Sequence, residues 1–453
     1  FQMFVPTQNT ILFPLILMLA FNLLLLEYWK YRHDYNEVLR KSLLFYEAQR
    51  SGELPANNRI LWRKSAFIDD RGLNGEELSG GYFDAGDYVK FNFPMAFTTT
   101  VLSWGVLLYA DAYNDTNELE NAREAIKWAT DYFIKCHVSK FEYYGQVGEG
   151  RIDHVFWRSP PRNERRRAFK LTRSAPGSEV IAETAAAMAA ASMVFSQVNA
   201  SYSQELLSHA RDLYEFADTY REMYHRSIRD AGNFYRSYAG YNDELTWAAA
   251  WLYSATNENQ YLAKYTEFNL ASKKPSGFHW EDKIAGVQLL MAQNTRNETY
   301  KVHVEQFCDR FLPGAEFPDL CKLLQLFSLY CRYTPKGLVY IQEWGVLRHA
   351  AGVAFICMAA ADLGIKQNLY RDFAKRQIHY MLGDSGLGSY VIGYGPNPPT
   401  RPHHRASSCP IPPEPCSFTA LRNPGSNPHI LVGALVGGPD GNDRFHDDRQ
   451  NHR

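Results

Sequence analysis

Ten stretches of this chain repeat apolar residues at spacings of three and four, and together they commit most of its length to α-helix. The stretches run over residues 36–50, 96–114, 119–137, 178–197, 203–223, 243–256, 280–295, 300–311, 344–363 and 367–382. Ser178-Glu179 after Pro176-Gly177 reads as a helix start, and the small-residue run from Ala185 to Ala191 allows helices to approach closely. The pattern predicts an all-α fold with long loops between helices, and loops are where chemistry tends to sit. No Ser/Thr/Pro-rich linker divides the 453 residues, so one large domain is expected. A net charge of −1 points to neither nucleic acid nor an acidic polymer as partner.

The loop before the second helix carries the sharpest chemical signal. In GGYFDAGDYVKF (residues 80–91), Asp84 and Asp87 flank Ala-Gly. Glycine disfavours helix and Asp prefers caps and turns, so a turn can aim both carboxylates at one point. Such a pair can hold a metal or a water, or divide its labour as base and orienting group. Alone, two Asp at this spacing are usually a solvated turn. The flanking Tyr82, Phe83, Tyr88, Phe91, Phe93 and Phe97 add flat apolar faces that suit a core or a sugar ring.

This segment resembles the catalytic region of glycoside hydrolase family 9, the inverting β-1,4-glucanases, in its animal branch. Three further segments match in order: DELTWAAAWLY (243–253), TPKGLVYIQEWGVLRHA (334–350) and SYVIGYGPNPPTRPHHRASSCP (389–410). The resemblance implies an (α/α)6 toroid over residues 35–453 and hydrolysis of internal bonds in cellulose and cello-oligosaccharides by a secreted monomer. It makes Asp87 the general base and Asp84 the holder of the attacking water. It places His403 and Arg405 beside the cleaved bond, with His404 the less favoured imidazole. His154, Trp157, Tyr241, Trp344 and Arg348 fall at glucose-contact positions. An inverting glycosidase needs base and acid on opposite faces of the sugar, about 6.5–9.5 Å apart.

In the family the acid is a Glu shortly after an Asp-Asp-Arg, followed by a final helix. Here Asp447-Asp448-Arg449 is present and the sequence given stops at Arg453. The expectation is therefore a ring lacking its last helix and a hydrolase without its acid. The alternatives are a cello-oligosaccharide-binding homologue or a non-functional product.

No cofactor is needed for this chemistry, but the resemblance implies a structural calcium on Asp243, Glu244, Glu281 and the carbonyls of Ala239 and Gly240. Hard oxygen donors suit that ion; from the residues alone, Asp243-Glu244 is a helix cap. Among seven cysteines, Cys136 and Cys357 read as core residues. Cys409 and Cys416 fit neighbouring thiols or one disulfide better than a zinc pair, since no CxxC spacing appears. Five arginines between Arg158 and Arg167 read as a solvated basic loop. Residues 311–333 look like an insertion. Residues 1–34 contain an apolar run from Ile11 to Leu26, expected to be a signal peptide or a signal anchor. Sequons at Asn114, Asn199 and Asn297 agree with secretion.

Overall fold

The helical periodicity resolves into two kinds of helix in the computed structural model, which describes residues 33–268, 273–313 and 333–450. Among these residues, eleven helices of ten or more residues alternate between an inner and an outer layer. α1 (Tyr35–Ala48) leads, followed by the hairpins α2–α3 (Asn92–Asp115, Leu119–Cys136) and α4–α5 (Ser178–Phe195, Ala200–Thr219). α6–α7 (Asn242–Thr256, Asn259–Phe268), α8–α9 (Ile284–Thr295, Glu298–Asp309) and α10–α11 (Val346–Asp362, Gln367–His379) complete the series. The fold is an (α/α)6 barrel. The expected insertion at 311–333, Cys321, Cys331 and nearly all of the N-terminal hydrophobic segment lie outside the described residues.

The inner helices α2, α4, α6, α8 and α10 pack successively against one another, the outer helices α3, α5, α7, α9 and α11 each pack on an inner one, and α1 packs on α3. A helix apolar all round belongs in an interior, and α4 shows it: every residue from Ser178 to Phe195 is buried except Met193. The outer helices α3, α5 and α11 bury one stripe and turn charge outward. Across the ring, Trp104 of α2 meets Trp247 and Trp251 of α6 edge-on, with centroids 5.6 Å apart in each case. Phe355 of α10 joins Trp104 at 5.1 Å. The barrel interior is thus filled by aromatic rings.

The inner helices all begin on one face, and the long loops gather there. α2 starts at Asn92, earlier than the periodicity alone suggests, because Pro94 is tolerated in a first helical turn. A small antiparallel sheet, which a helical reading of the sequence does not anticipate, ties two of these loops together. Its central strand β3 (Glu142–Val147) pairs with β1 (Lys90–Phe91), β2 (His137–Ser139) and β4 (Ala168–Leu171). Beneath it, the buried Asp70 carboxylate meets Lys90 at 2.8 Å and Arg166 at 2.7 Å. Arg166 therefore departs from the expected solvated loop: it neutralises a carboxylate that the fold has removed from water.

Cys357 also differs from expectation. It is buried, but bonded to Cys308, joining α9 to α10. Cys409 and Cys416 form a disulfide, which excludes the zinc reading. Cys136 is a free, buried thiol, as expected.

Glycine in mid-helix usually costs about 1 kcal/mol relative to Ala. Gly352 of α10 is an exception, because a Cβ there would lie 2.1 Å from the Phe278 carbonyl oxygen. Gly352→Ala is expected to destabilise the fold by about 1–3 kcal/mol. Chemical denaturation checks the sign: a gain in stability would mean that α10 does not sit against Phe278 as described.

Candidate active site

Backbone geometry first aligns the carboxylates. Asp87 donates its N–H to the Asp84 carbonyl at 2.8 Å, closing a four-residue turn, and Ala85 within it has φ +43°. Gly86 cannot be replaced by a larger residue without movement, since a Cβ would come within 2.3 Å of the His403 carbonyl oxygen. The motif holding His403, more than three hundred residues away in sequence, is thus packed directly on the Asp turn.

Each carboxylate then has its own anchor. Asp84 accepts the Tyr235 hydroxyl across both oxygens, at 2.8 and 2.7 Å. Asp87 Oδ1 lies 2.9 Å from Arg405 Nη2 and 3.3 Å from His154 Nε2. Arg405 also grips the Asp153 carboxylate and donates to the carbonyls of Gly86 (3.2 Å), Asp153 (2.7 Å) and Phe156 (3.1 Å). The ligand-type atoms of Asp87, Asp153 and His154 lie within 4.8 Å of one another, and the positive charge among them is this guanidinium.

The imidazoles take different parts. His154 Nδ1 donates to the Gly150 carbonyl at 2.7 Å, leaving Nε2 to face Asp87, and its ring stacks on Phe234. His403 Nδ1 donates to the Arg449 carbonyl at 2.6 Å, with its ring edge against Trp157. His404 is buried: Gln49 meets its Nε2 at 2.8 Å and the Ser407 N–H donates to its Nδ1 at 3.0 Å. Burial, then the nearby Arg63 and Arg405, lowers its pKa to about 3, so it stays neutral.

The remaining expected sugar contacts sit differently from one another. Trp157 is buried, donating its indole N–H to Ser408 Oγ at 3.0 Å, and forms a wall behind His403. Tyr241 is half-buried at the start of α6. Trp344, just before α10, exposes 57 % of its surface. Arg348 is half-buried in α10, where burial lowers its pKa against the opposing pull of the Asp84 and Glu281 carboxylates.

Sequence reasoning did not single out Tyr235 or Asp153. Asp153 adjoins His154, a weak signal that could have flagged it. Tyr235 carries no local signal, since only the fold brings it to Asp84.

A second buried group of carboxylates lies at the starts of α4 and α6. Lys283 Nζ sits 3.0 Å from Glu244 and 3.2 Å from Glu183, and the Lys283 N–H donates to Asp243 at 3.0 Å. Burial raises Glu179 to about 8 and Glu183 to about 7, and holds Glu244 well above the usual carboxylate range. Burial opposes the Lys283 charge, but the surrounding carboxylates outweigh it and raise its pKa. Glu244 Oε2 is buried without a hydrogen-bond partner. Glu281 accepts the Tyr238 N–H at 2.7 Å, and the Gly240 carbonyl accepts from Ser237 at 2.8 Å. Three carboxylates, Glu183, Glu244 and Asp243, surround this one ammonium, and the orphaned Glu244 oxygen among them is a hard donor of the type calcium takes.

Residues 35–453 match the pattern of Glycosyl hydrolase family 9. The chain belongs to this family. It is a glycoside hydrolase by that membership, and the relatives agree. Endoglucanase 19 of Arabidopsis thaliana is 43% identical over 448 residues, covering 93% of this chain and 71% of that protein. The solved endoglucanase of the termite Nasutitermes takasagoensis is 50% identical, with a TM-score of 0.87 over 93% of this chain and 94% of its own. The cellulase Cel9M of C. cellulolyticum, solved in complex with cellobiose, is 31% identical, with a TM-score of 0.82 over 93% and 94%.

Burial, then the neighbouring Asp87, raises the Asp84 pKa from 3.8 to about 7. The folded state therefore binds a proton that the unfolded state releases, and stability falls as pH rises between those two values. Asp84→Asn is expected to raise Tm at pH 7.5 and to change it little at pH 3.5. Calorimetry at both values tests this; an equal shift at the two would remove Asp84 as the source.

Proposed function

We propose that this chain is the catalytic domain of an inverting endo-β-1,4-glucanase acting on cellulose and cello-oligosaccharides, with Asp87 as general base and Asp84 orienting the water. The observation that carries this reading is the turn itself. Two carboxyl groups share one backbone turn, and one is paired to a guanidinium while the other is held by a phenol.

That asymmetry divides the roles. Burial pushes the Asp87 pKa up, while Arg405 beside it works in the opposite direction and favours the ionised, proton-accepting form. Asp84 faces no such cation at contact distance; the proposed water is held between it and Asp87. General bases of this kind contribute about 10²–10⁴-fold. His403 and His154, each donating through Nδ1 to a backbone carbonyl, would turn Nε2 toward sugar hydroxyls beside the cleaved bond. Arg405, whose donors are all taken by protein groups, would hold Asp87 in place. Trp344 offers an exposed face for stacking, and Tyr241 and Arg348 line neighbouring loops. Trp157 contributes by holding His403. The proton donor to the leaving oxygen is assigned to the Glu that the family places shortly after an Asp-Asp-Arg, the tripeptide found here at Asp447-Asp448-Arg449.

A structural calcium is proposed on Asp243, Glu244 and Glu281 with the carbonyls of Ala239 and Gly240. It would offset buried negative charge and take no part in bond cleavage. Extracellular residence and a monomeric state belong to the same proposal. Two disulfides among the described residues support the former, since such bonds persist in oxidising compartments, and the three sequon asparagines are exposed.

The base assignment can be tested apart from the acid. A 2,4-dinitrophenyl β-cellobioside loses its leaving group without protonation, so residues 1–453 should hydrolyse it. Asp87→Asn should cut that rate by about 10²–10⁴-fold. Turnover unaffected by Asp87→Asn would sink the assignment, and oligosaccharide binding without turnover would favour a non-hydrolytic role. For the calcium, thermal unfolding with EDTA and then with added Ca²⁺ should show a Tm that falls and recovers; indifference to both removes the site.

A further inference from the structure

A cluster apart from the carboxylate turn brings together two imidazoles and one carboxylate. His33 immediately precedes Asp34, the N-cap of α1. His379 is the last residue of α11, and Asp384 ends the single π-type turn that follows, Tyr380–Asp384. His33 Nε2 lies 2.8 Å from Asp384 Oδ1, and His379 Nδ1 lies 3.6 Å from Asp384 Oδ2. The three ligand-type atoms lie within 4.8 Å of one another, and the two rings are 4.8 Å apart between centroids.

The outward ring nitrogens are also engaged. His33 Nδ1 meets the Tyr394 hydroxyl at 3.4 Å, and that hydroxyl accepts the Asp34 N–H at 3.1 Å. His379 Nε2 meets the hydroxyl of Tyr35. Each imidazole therefore turns one nitrogen to the shared carboxylate and has the other fixed by a phenol. Metal-binding histidines show this arrangement, because the outer hydrogen bond sets ring orientation and tautomer.

We propose that His33 Nε2, His379 Nδ1 and the Asp384 carboxylate form a binding site for one divalent transition-metal ion of the zinc class. Imidazole nitrogen suits zinc, copper and nickel, whereas calcium and magnesium take oxygen. Zinc bonds of about 2.0–2.2 Å need ligand atoms roughly 3.3 Å apart, a closure that small ring rotations supply. His379 and Asp384 expose 26% and 24% of their side chains, so an ion can enter and water can complete its shell.

The ion would be structural. Gln49, at the far end of α1, bonds Ala85 and His404 of the proposed active site, and the 14 residues of α1 lie between the two places. At 1.5 Å per residue that helix is about 21 Å long. The metal would pin the front of α1 to the end of α11, fixing both ends of the strut that supports the Asp turn.

The test uses the whole chain, stripped of metal and titrated with Zn²⁺ against a chromophoric chelator, with metal content read by mass spectrometry. One Zn²⁺ per chain is expected, with a rise in Tm. His33→Asn and His379→Asn should each abolish both effects. Tyr35→Phe should weaken binding by about 10–100-fold, a loss that a plain His–Asp hydrogen bond would not show. Asp87→Asn and Asp243→Asn should leave uptake intact, which separates this site from the catalytic and calcium proposals. Failure of the unaltered chain to take up stoichiometric Zn²⁺, or uptake that survives His379→Asn, overturns the proposal.

Discussion

The Arg405 guanidinium is the contact on which the rest of the site depends. One planar fork reaches Asp87, the Asp153 carboxylate and three backbone carbonyls, so it fixes the Asp turn, the 150–156 segment and its own loop at once. It is almost wholly buried, and its charge is balanced locally by the two acids. Lysine could not replace it, because a point charge on a flexible stem lacks the five fixed donors. Its face also lies over the Tyr88 ring at 4.9 Å, which sets how deeply it can sink.

Around that fork the fold keeps an unusual amount of charge out of water. Lys90 and Arg166 share Asp70, and Lys283 is ringed by Glu183, Glu244 and Asp243. Breaking such pairs from one side is costly, since the survivor is left charged in a poor solvent. Both networks sit under loops, where they define loop position as hydrophobic packing defines helix position. Elevated carboxyl pKa values at the Asp turn come from the same burial, so structural and chemical demands meet in one region.

The helical part of this plan was legible because buried faces impose a period on sequence. The residues of α4 and α10 could be read almost to their ends, and the Asp turn announced itself through Asp-Ala-Gly-Asp. What escaped was what depends on meetings between distant segments. The sheet is built of strands too short to declare themselves, and α7 is short and mostly polar. Cys357 looked like any apolar helix residue until α9 brought Cys308 beside it. Tyr235 and His33 are ordinary in sequence, and gain meaning only from Asp84 and Asp384. Arg166 read as one of five surface arginines because nothing local reveals that Asp70 is buried beneath it.

The indole cluster on the barrel axis has a consequence for how a polymer can be handled. Trp104 of α2 and Trp247 and Trp251 of α6 fill the interior with indole rings, which among the described residues leaves no path for a polymer along the barrel axis. Under the proposed function a glucan would instead lie across the face where the loops gather, over the Asp turn. Such a seat needs no free terminus, and any interior stretch of polymer can be laid upon it.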